Sequence, residues 1–174
     1  MVRKSDSFFI RQTLNLNNLG TFQQTPLDLG AYVDALGKSV LRIHNIAVTF
    51  SDSGGTALQV TASADSAAAQ FQLTTQSQGD TVLSSNRSVI ASGIVYAVNQ
   101  FSTTDEFPQL SHDMDVLPQM WTNGYLVAVD TIYLGGEASL GWAEDVYASI
   151  TLEATVETMS EASAMALALS QQGA

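Results

Sequence analysis

Acidic side chains are densest at Asp105-Glu106 and, between Pro108 and Pro118, at His112-Asp113-Met114-Asp115. Hard oxygen donors this close together on a loop could hold calcium. The spacing does not fit an EF-hand, and the glycine which that pattern needs is absent, so the plainer expectation is a long, solvated acidic loop. Paired carboxylates also serve glycoside hydrolysis, but nothing in a linear sequence sets two of them across a cleft. Of the two histidines, His44 lies beside Asn45 in an apolar stretch with no second histidine nearby, which favours a hydrogen-bonded core or interface residue over a metal ligand. There is no cysteine, which removes disulfides, thiolate zinc and cysteine nucleophiles together. No G-x-S-x-G elbow occurs, and Ser53-Gly54-Gly55-Thr56 lacks the lysine of a phosphate loop, so it reads as a turn. Carboxylates at Asp105 or Asp130 have no base, nucleophile or metal set converging on them. We therefore expect no enzyme: no catalytic, cofactor-binding or metal-binding residue is assigned.

Aromatic residues offer a second chemistry. Trp121, Trp142, Tyr125, Tyr133 and Tyr147 would form a sugar-binding face if they met. This is the basis for an alternative function as a carbohydrate-binding or adhesion module, with calcium at Asp113 and Asp115. In a β-sandwich such aromatics more commonly fill core or interface.

Charge divides the chain. The bases are Arg3, Lys4, Arg11, Lys38, Arg42 and Arg87, and none follows position 87, so the whole net charge of −11 lies in the C-terminal half. Sequence-specific nucleic-acid binding is not expected, because clustered Lys and Arg are needed to displace counterions from phosphates. Only the tip carrying Arg3, Lys4 and Arg11 could meet a genome or anionic headgroups. Phe8-Phe9-Ile10 is too brief for a signal segment, and no apolar run approaches the ~20 residues of a membrane span.

The elements that must position these residues are mostly strands. Val146, Ala148, Ile150, Leu152, Ala154 and Val156 alternate with Tyr147, Ser149, Thr151, Glu153 and Thr155, a period of two that a helix cannot accommodate. At ~3.3 Å per residue, that strand runs roughly 36 Å. Ile10, Gln12, Leu14 and Leu16 alternate in the same way. Between Val40 and Phe50 the apolar phase slips at His44-Asn45, which predicts a β-bulge. Further strands are expected over 57–64, 69–75, 89–101 and 125–134, with turns at 51–55, 78–80, Asn123-Gly124 and Gly135-Gly136; Asn123-Gly124 is the best hairpin signal. Residues 29–36 suit one short turn of helix. Strands at this spacing indicate an all-β antiparallel sandwich or barrel.

The tail breaks the pattern. Thr158-Met159-Ser160-Glu161 fits a capping box, and the Ala/Leu/Met-rich residues that follow are strong helix formers. The expected organisation is one domain: an N-terminal arm, partly extended, over 1–30; a β-sandwich over 31–157; and a C-terminal helix over 158–172. Weak surface charge (13% charged residues) lowers the desolvation cost of large interfaces. Phe8, Phe9, Leu14 and Leu16 of the arm, with Met165, Leu167 and Leu169 of the helix, are the candidate interface residues.

In the order of these elements the chain resembles the single jelly-roll major capsid proteins of icosahedral viruses, including those of halophilic or marine archaeal and bacterial hosts. The likeness rests on the arm 8–29, the strand 40–50, the run 125–133, the strand 146–156 and the terminal helix. It implies an antiparallel jelly-roll sandwich of about eight strands with a short C-terminal helix. It also implies a virion location and a shell of many copies of the chain, alongside other virion proteins, over an internal membrane or the genome. No catalytic residue comes with it. The scarcity of bases departs from capsid proteins whose basic arms condense nucleic acid.

Overall fold

The long alternating strand near the C-terminus is the axis of the fold. The computed structural model describes residues 2–3, 5–34, 38–62, 64, 66–99, 104–105 and 107–172. In chain order the strands are β1 (Val2–Arg3), β2 (Phe8–Asn17), β3 (Gln23–Asp28), β4 (Ser39–Ser51), β5 (Ser66–Thr74), β6 (Val89–Val98), β7 (Gln109–Val116), β8 (Tyr125–Val127), β9 (Thr131–Ala138) and β10 (Val146–Thr158), followed by helix α1 (Glu161–Gln172). One sheet runs β2-β10-β4-β8, with β1 extending the β2 flank of β10; the other runs β3-β9-β5-β6-β7. Every pairing is antiparallel. The chain crosses between sheets at β2–β3, β3–β4 and β4–β5, and again at β7–β8, β8–β9 and β9–β10. That double Greek key makes the sandwich a jelly roll. The inner faces meet in one core, with Leu16, Ile43, Phe71, Leu73, Ile132, Leu134, Ile150 and Leu152 fully buried.

The described residues of the segment 1–30, expected as a partly extended arm, are extended and join the sandwich. They supply β2 to one sheet and β3 to the other. Leu14, Leu16, Leu27 and Leu29 are buried in the core of the same chain. An extended segment with apolar residues at every second position satisfies both its backbone and its side chains by adding to an open sheet edge. The bulge falls where expected: Glu153 faces Asn45 and Ala154 faces Ile43, so His44 is the extra residue.

Other expectations fail for non-local reasons. The run 125–134 is two strands in different sheets, with Ala128 and Val129 buried between them as the chain crosses. Gly135 and Gly136 lie inside β9 rather than in a turn. A Cβ on Gly136 would sit 2.2 Å from the Gln70 carbonyl oxygen and 2.9 Å from Leu16 Cδ2, and one on Gly135 would sit 2.7 Å from the Phe22 ring. The glycines admit close neighbours. Residues 57–62 form no ladder and make one bridge, Val60 to Trp142. Asn123-Gly124 closes no hairpin, because β7 and β8 belong to different sheets; its turn leads from the short 3₁₀ turn Pro118–Met120 into β8. Gly124 is needed there, at φ 65°, with a Cβ 2.3 Å from the Ile43 carbonyl oxygen. Within 29–34, the Val33 N–H to Leu29 carbonyl bond makes the expected single turn; residues 35–36 lie outside the described residues. Thr158 pairs with Ser39 and so ends β10 rather than capping the helix. The N-cap is Ser160, whose Oγ accepts from the Ser163 N–H at 3.2 Å.

The 51–55 turn is built on Asp52, whose Oδ1 accepts the N–H groups of Gly54 and Thr56, each at 2.8 Å, while the Thr56 hydroxyl donates to Oδ2. The hydroxyl above all, then the Thr56 N–H, holds this carboxyl below its ordinary range. A depressed folded value means that the carboxylate's contribution is intact above the unfolded pKa and is lost as pH falls through the folded one. In acid titrations followed by amide exchange, Thr56 should therefore lose protection only below the usual carboxylate range, while the β10 amides hold. Thr56 protection unchanged under full protonation would refute this account of the turn.

Candidate interaction surface

Helix α1 lies on the outer face of the first sheet. Ala164 and Ala168 pack with Val40 and Ala128, and Leu126, Met159 and Leu167 close around them. The docking is fastened by Gln171, which is buried: its side-chain amide bonds Leu126 and Ala128, and its carbonyl accepts the Thr75 hydroxyl at 2.9 Å. Burial pushes the Tyr125 phenol pKa up, against a hydrogen bond from the Gln171 side chain. Beside this contact Arg42 Nε meets Glu157 Oε1 at 2.7 Å, both side chains about nine-tenths buried, and Arg42 also donates to the Asn123 carbonyl.

The expected interface residues separate into two groups. Leu14 and Leu16 are core residues of their own chain, so they cannot meet a partner. Leu167 is largely occupied by α1 docking, and the Phe8 ring stacks on Tyr32 with centroids 4.8 Å apart. Phe9 (55% exposed), Met165 (41%) and Leu169 (64%) remain open to solvent. Met165 and Leu169, with exposed Ala162 and Ala166, follow an i, i+3, i+4, i+7 pattern on the side of α1 away from the sheet. This helix is thus apolar on two faces, only one of which its own domain covers. The sequence shows that the helix is apolar over most of its circumference; it could not show which side is used, because that depends on where β4 and β8 lie.

The other candidates do not assemble into a site. The 105–115 segment is not a loop, since 109–116 is strand β7 on the edge of the second sheet. Asp105 Oδ1 accepts the Ala62 N–H at 2.8 Å, Glu106 lies outside the described residues, and the side chains of His112, Asp113 and Asp115 lie outside the description too. Among the described residues no group of three or more His, Asp or Glu could hold a metal. His44 Nε2 bonds Thr155 Oγ1 at 2.9 Å, as a structural histidine does. Trp142 is buried and donates from Nε1 to the Ala68 carbonyl at 3.0 Å, while Trp121 is exposed. Tyr133 and Tyr147 belong to different sheets, so the aromatics share no face.

Arg11 is exposed, with its guanidinium carbon 5.7 Å from the Phe9 ring centroid, a cation–π distance. Arg3 pairs by backbone with Glu157, and Lys4 lies outside the described residues. A concavity of about 730 Å³ opens at the Tyr96, Val98 and Leu140 end of the second sheet, and among the described residues no Asp, Glu, His, Lys or Arg lines it. Among the described residues no helix is long and apolar enough to cross a membrane.

No protein-family model matches the chain, and no curated protein matches it. Among solved structures, a chain from the single-particle structure of Maize Chlorotic Mottle Virus is similar with TM-score 0.37 and 8% identity, over 90% of this chain and 96% of that one. VP1 of Trichodysplasia spinulosa-associated polyomavirus, solved in complex with sialylated glycooligomers, is similar with TM-score 0.43 and 9% identity, over 91% of this chain and 98% of that one. Overlays this loose transfer no residue roles.

Proposed function

We propose that the chain is a structural virion protein, a capsid subunit that associates with copies of itself into an icosahedral shell. The observation that carries the reading is the exposed stripe Ala162, Met165, Ala166 and Leu169 on a helix whose opposite face is already docked. Exposed apolar surface on a well-closed domain is stabilised by a partner, and symmetry multiplies a modest contact over many copies. Phe9, on β2 at the other side of the outer face from α1, is a second, separate exposed apolar position. The acidic C-terminal half keeps finished particles apart if it faces outward. Arg3, Lys4 and Arg11 are where an internal membrane or the genome would be met. The carbohydrate-binding alternative has no supporting geometry, since its aromatics are dispersed.

The test is Met165→Asp with Leu169→Asp, which spares Leu167 and its packing. The wild-type chain should form particles visible by negative stain and sedimentation, and the double variant should remain a folded small species with an unchanged circular dichroism spectrum. Intact particles from the variant would remove α1 from the interface. Wild-type chains that stay single across salt, divalent cations and high concentration would end the shell reading.

A further inference from the structure

Glutamine amides stand along one sheet edge in the places that strand residues would take. Gln119, just before β8, exchanges two bonds with Ile46 of β4: the Ile46 N–H donates to Oε1 at 3.1 Å, and Nε2 donates to the Ile46 carbonyl at 3.0 Å. A directly opposite residue of an antiparallel neighbour makes the same exchange. Gln171 of α1 does the equivalent for β8. Its Nε2 donates to the Leu126 carbonyl at 2.6 Å, and its Oε1 accepts the Ala128 N–H at 2.9 Å. Bonding the carbonyl of one residue and the amide two residues on is how a residue of a parallel neighbour addresses a strand.

Both clasps lie on the same border of the first sheet. Among the described residues β8 pairs with Leu41, Arg42 and Ile43, the 3₁₀ turn Pro118–Met120 packs on β4 beyond them around Gln119, and past that turn no described strand pairs with this flank of β4. The flank, 45–49, reads Asn-Ile-Ala-Val-Thr: β-prone, uncharged and without proline. β8 carries no charge either. Charged side chains and proline, common protections of an edge strand, are therefore missing where they are most needed. On a chain of net charge −11, two copies repel least where charge is absent, so the partner best suited to this border is the same border of another copy.

We propose that Gln119 and Gln171 are edge guards, and that the association they prevent is strand-to-strand pairing of the β4–β8 border with that of a second copy. The proposal concerns a different surface from the outer stripe of α1 and holds whether or not that stripe builds a shell.

The experiment replaces both glutamines by methionine, similar in length but without the amide, in a chain already carrying Met165→Asp and Leu169→Asp. Parent and variant then share every surface except the guards. The variant should sediment as a dimer or larger in a concentration-dependent way, with the Val48 amide exchanging at least tenfold more slowly than in the parent. Adding Gln119→Lys in place of Gln119→Met should restore the parent's behaviour, since an edge charge blocks pairing. A variant that is monomeric at every concentration overturns the proposal, whatever its exchange at Ile46 and Ala128. If the double replacement unfolds, Gln119→Met alone, which leaves α1 fastened, is read by the same criteria. Failure of the wild type to form particles bears on the shell reading only, because the edge test is a difference between two variants.

Discussion

Replacing Trp142 by alanine is expected to remove about 3–5 kcal/mol of folding stability, a large share of the ~5–15 kcal/mol that holds a typical domain together. Trp142 is 1% exposed, the bulkiest of the fully buried side chains. Its Nε1 donates to the Ala68 carbonyl on β5 at 3.0 Å, and its own carbonyl accepts Asn18 Nδ2 at 3.1 Å. Its backbone bridges Val60, and the next residue's N–H donates to the Gln59 carbonyl at 2.9 Å. Trp142 therefore ties the ladder-free 57–62 segment to the rest of the sandwich. Urea denaturation read by circular dichroism gives the loss directly. Trp142→Phe separates the contributions: it retains much of the ring volume and gives up only the indole bond to the Ala68 carbonyl, which keeps the Ser139 N–H at 2.9 Å, so the lost bond should cost about 0.5–1.5 kcal/mol. A Trp142→Ala variant within about 1 kcal/mol of wild type would mean that the site collapses freely around the lost ring.

Arg42→Met should be nearly as damaging, for an electrostatic reason. The Arg42–Glu157 pair is 2.7 Å apart with side chains only 12% and 11% exposed. Among the described residues Glu157 Oε2 has no hydrogen-bond partner. Removing the guanidinium leaves a buried carboxylate with no counter-charge among the described residues, and breaking a buried pair in this way costs about 3–5 kcal/mol. The pair itself is worth much less than that, because burying both ions cost solvation in the first place. Hence Glu157→Leu added to Arg42→Met should recover most of the loss in thermal melts. If the double variant is no more stable than Arg42→Met, the damage comes from lost packing of the arginine stem and its bond to Asn123, and the uncompensated charge is not the cause.

Much of the sandwich was legible along the chain. The alternation of 146–156 reappears as β10, buried at every second residue from Val146 to Ala154. The pattern then reverses at Thr155 and Glu157, because the outer face there is covered and β4 bulges alongside. Leu14 and Leu16 were legible as one face of a strand, but their destination was not. Apolar alternation looks the same whether its apolar face meets its own second sheet or a neighbour. Gly135-Gly136 misled for a related reason: glycine marks close approach as well as turning, and the approaching groups, Gln70, Leu16 and Phe22, come from distant parts of the sequence. The 125–134 run misled because a segment crossing between two sheets is as apolar as a strand buried in one.

The same division holds for the interaction surface and the edge guards. Residue types and their short-range periods determined that this is an all-β chain with an apolar tail helix, no cysteine chemistry and an acid-rich second half, since those are local properties of the sequence. Which face of the helix is spent on its own domain, which leucines are enclosed, and which glutamines stand in for missing strands were decided only when strands far apart in the chain came side by side. Partner choice is a non-local event: it is set by which edges and faces remain unpaired after folding, and no local window of sequence contains that information.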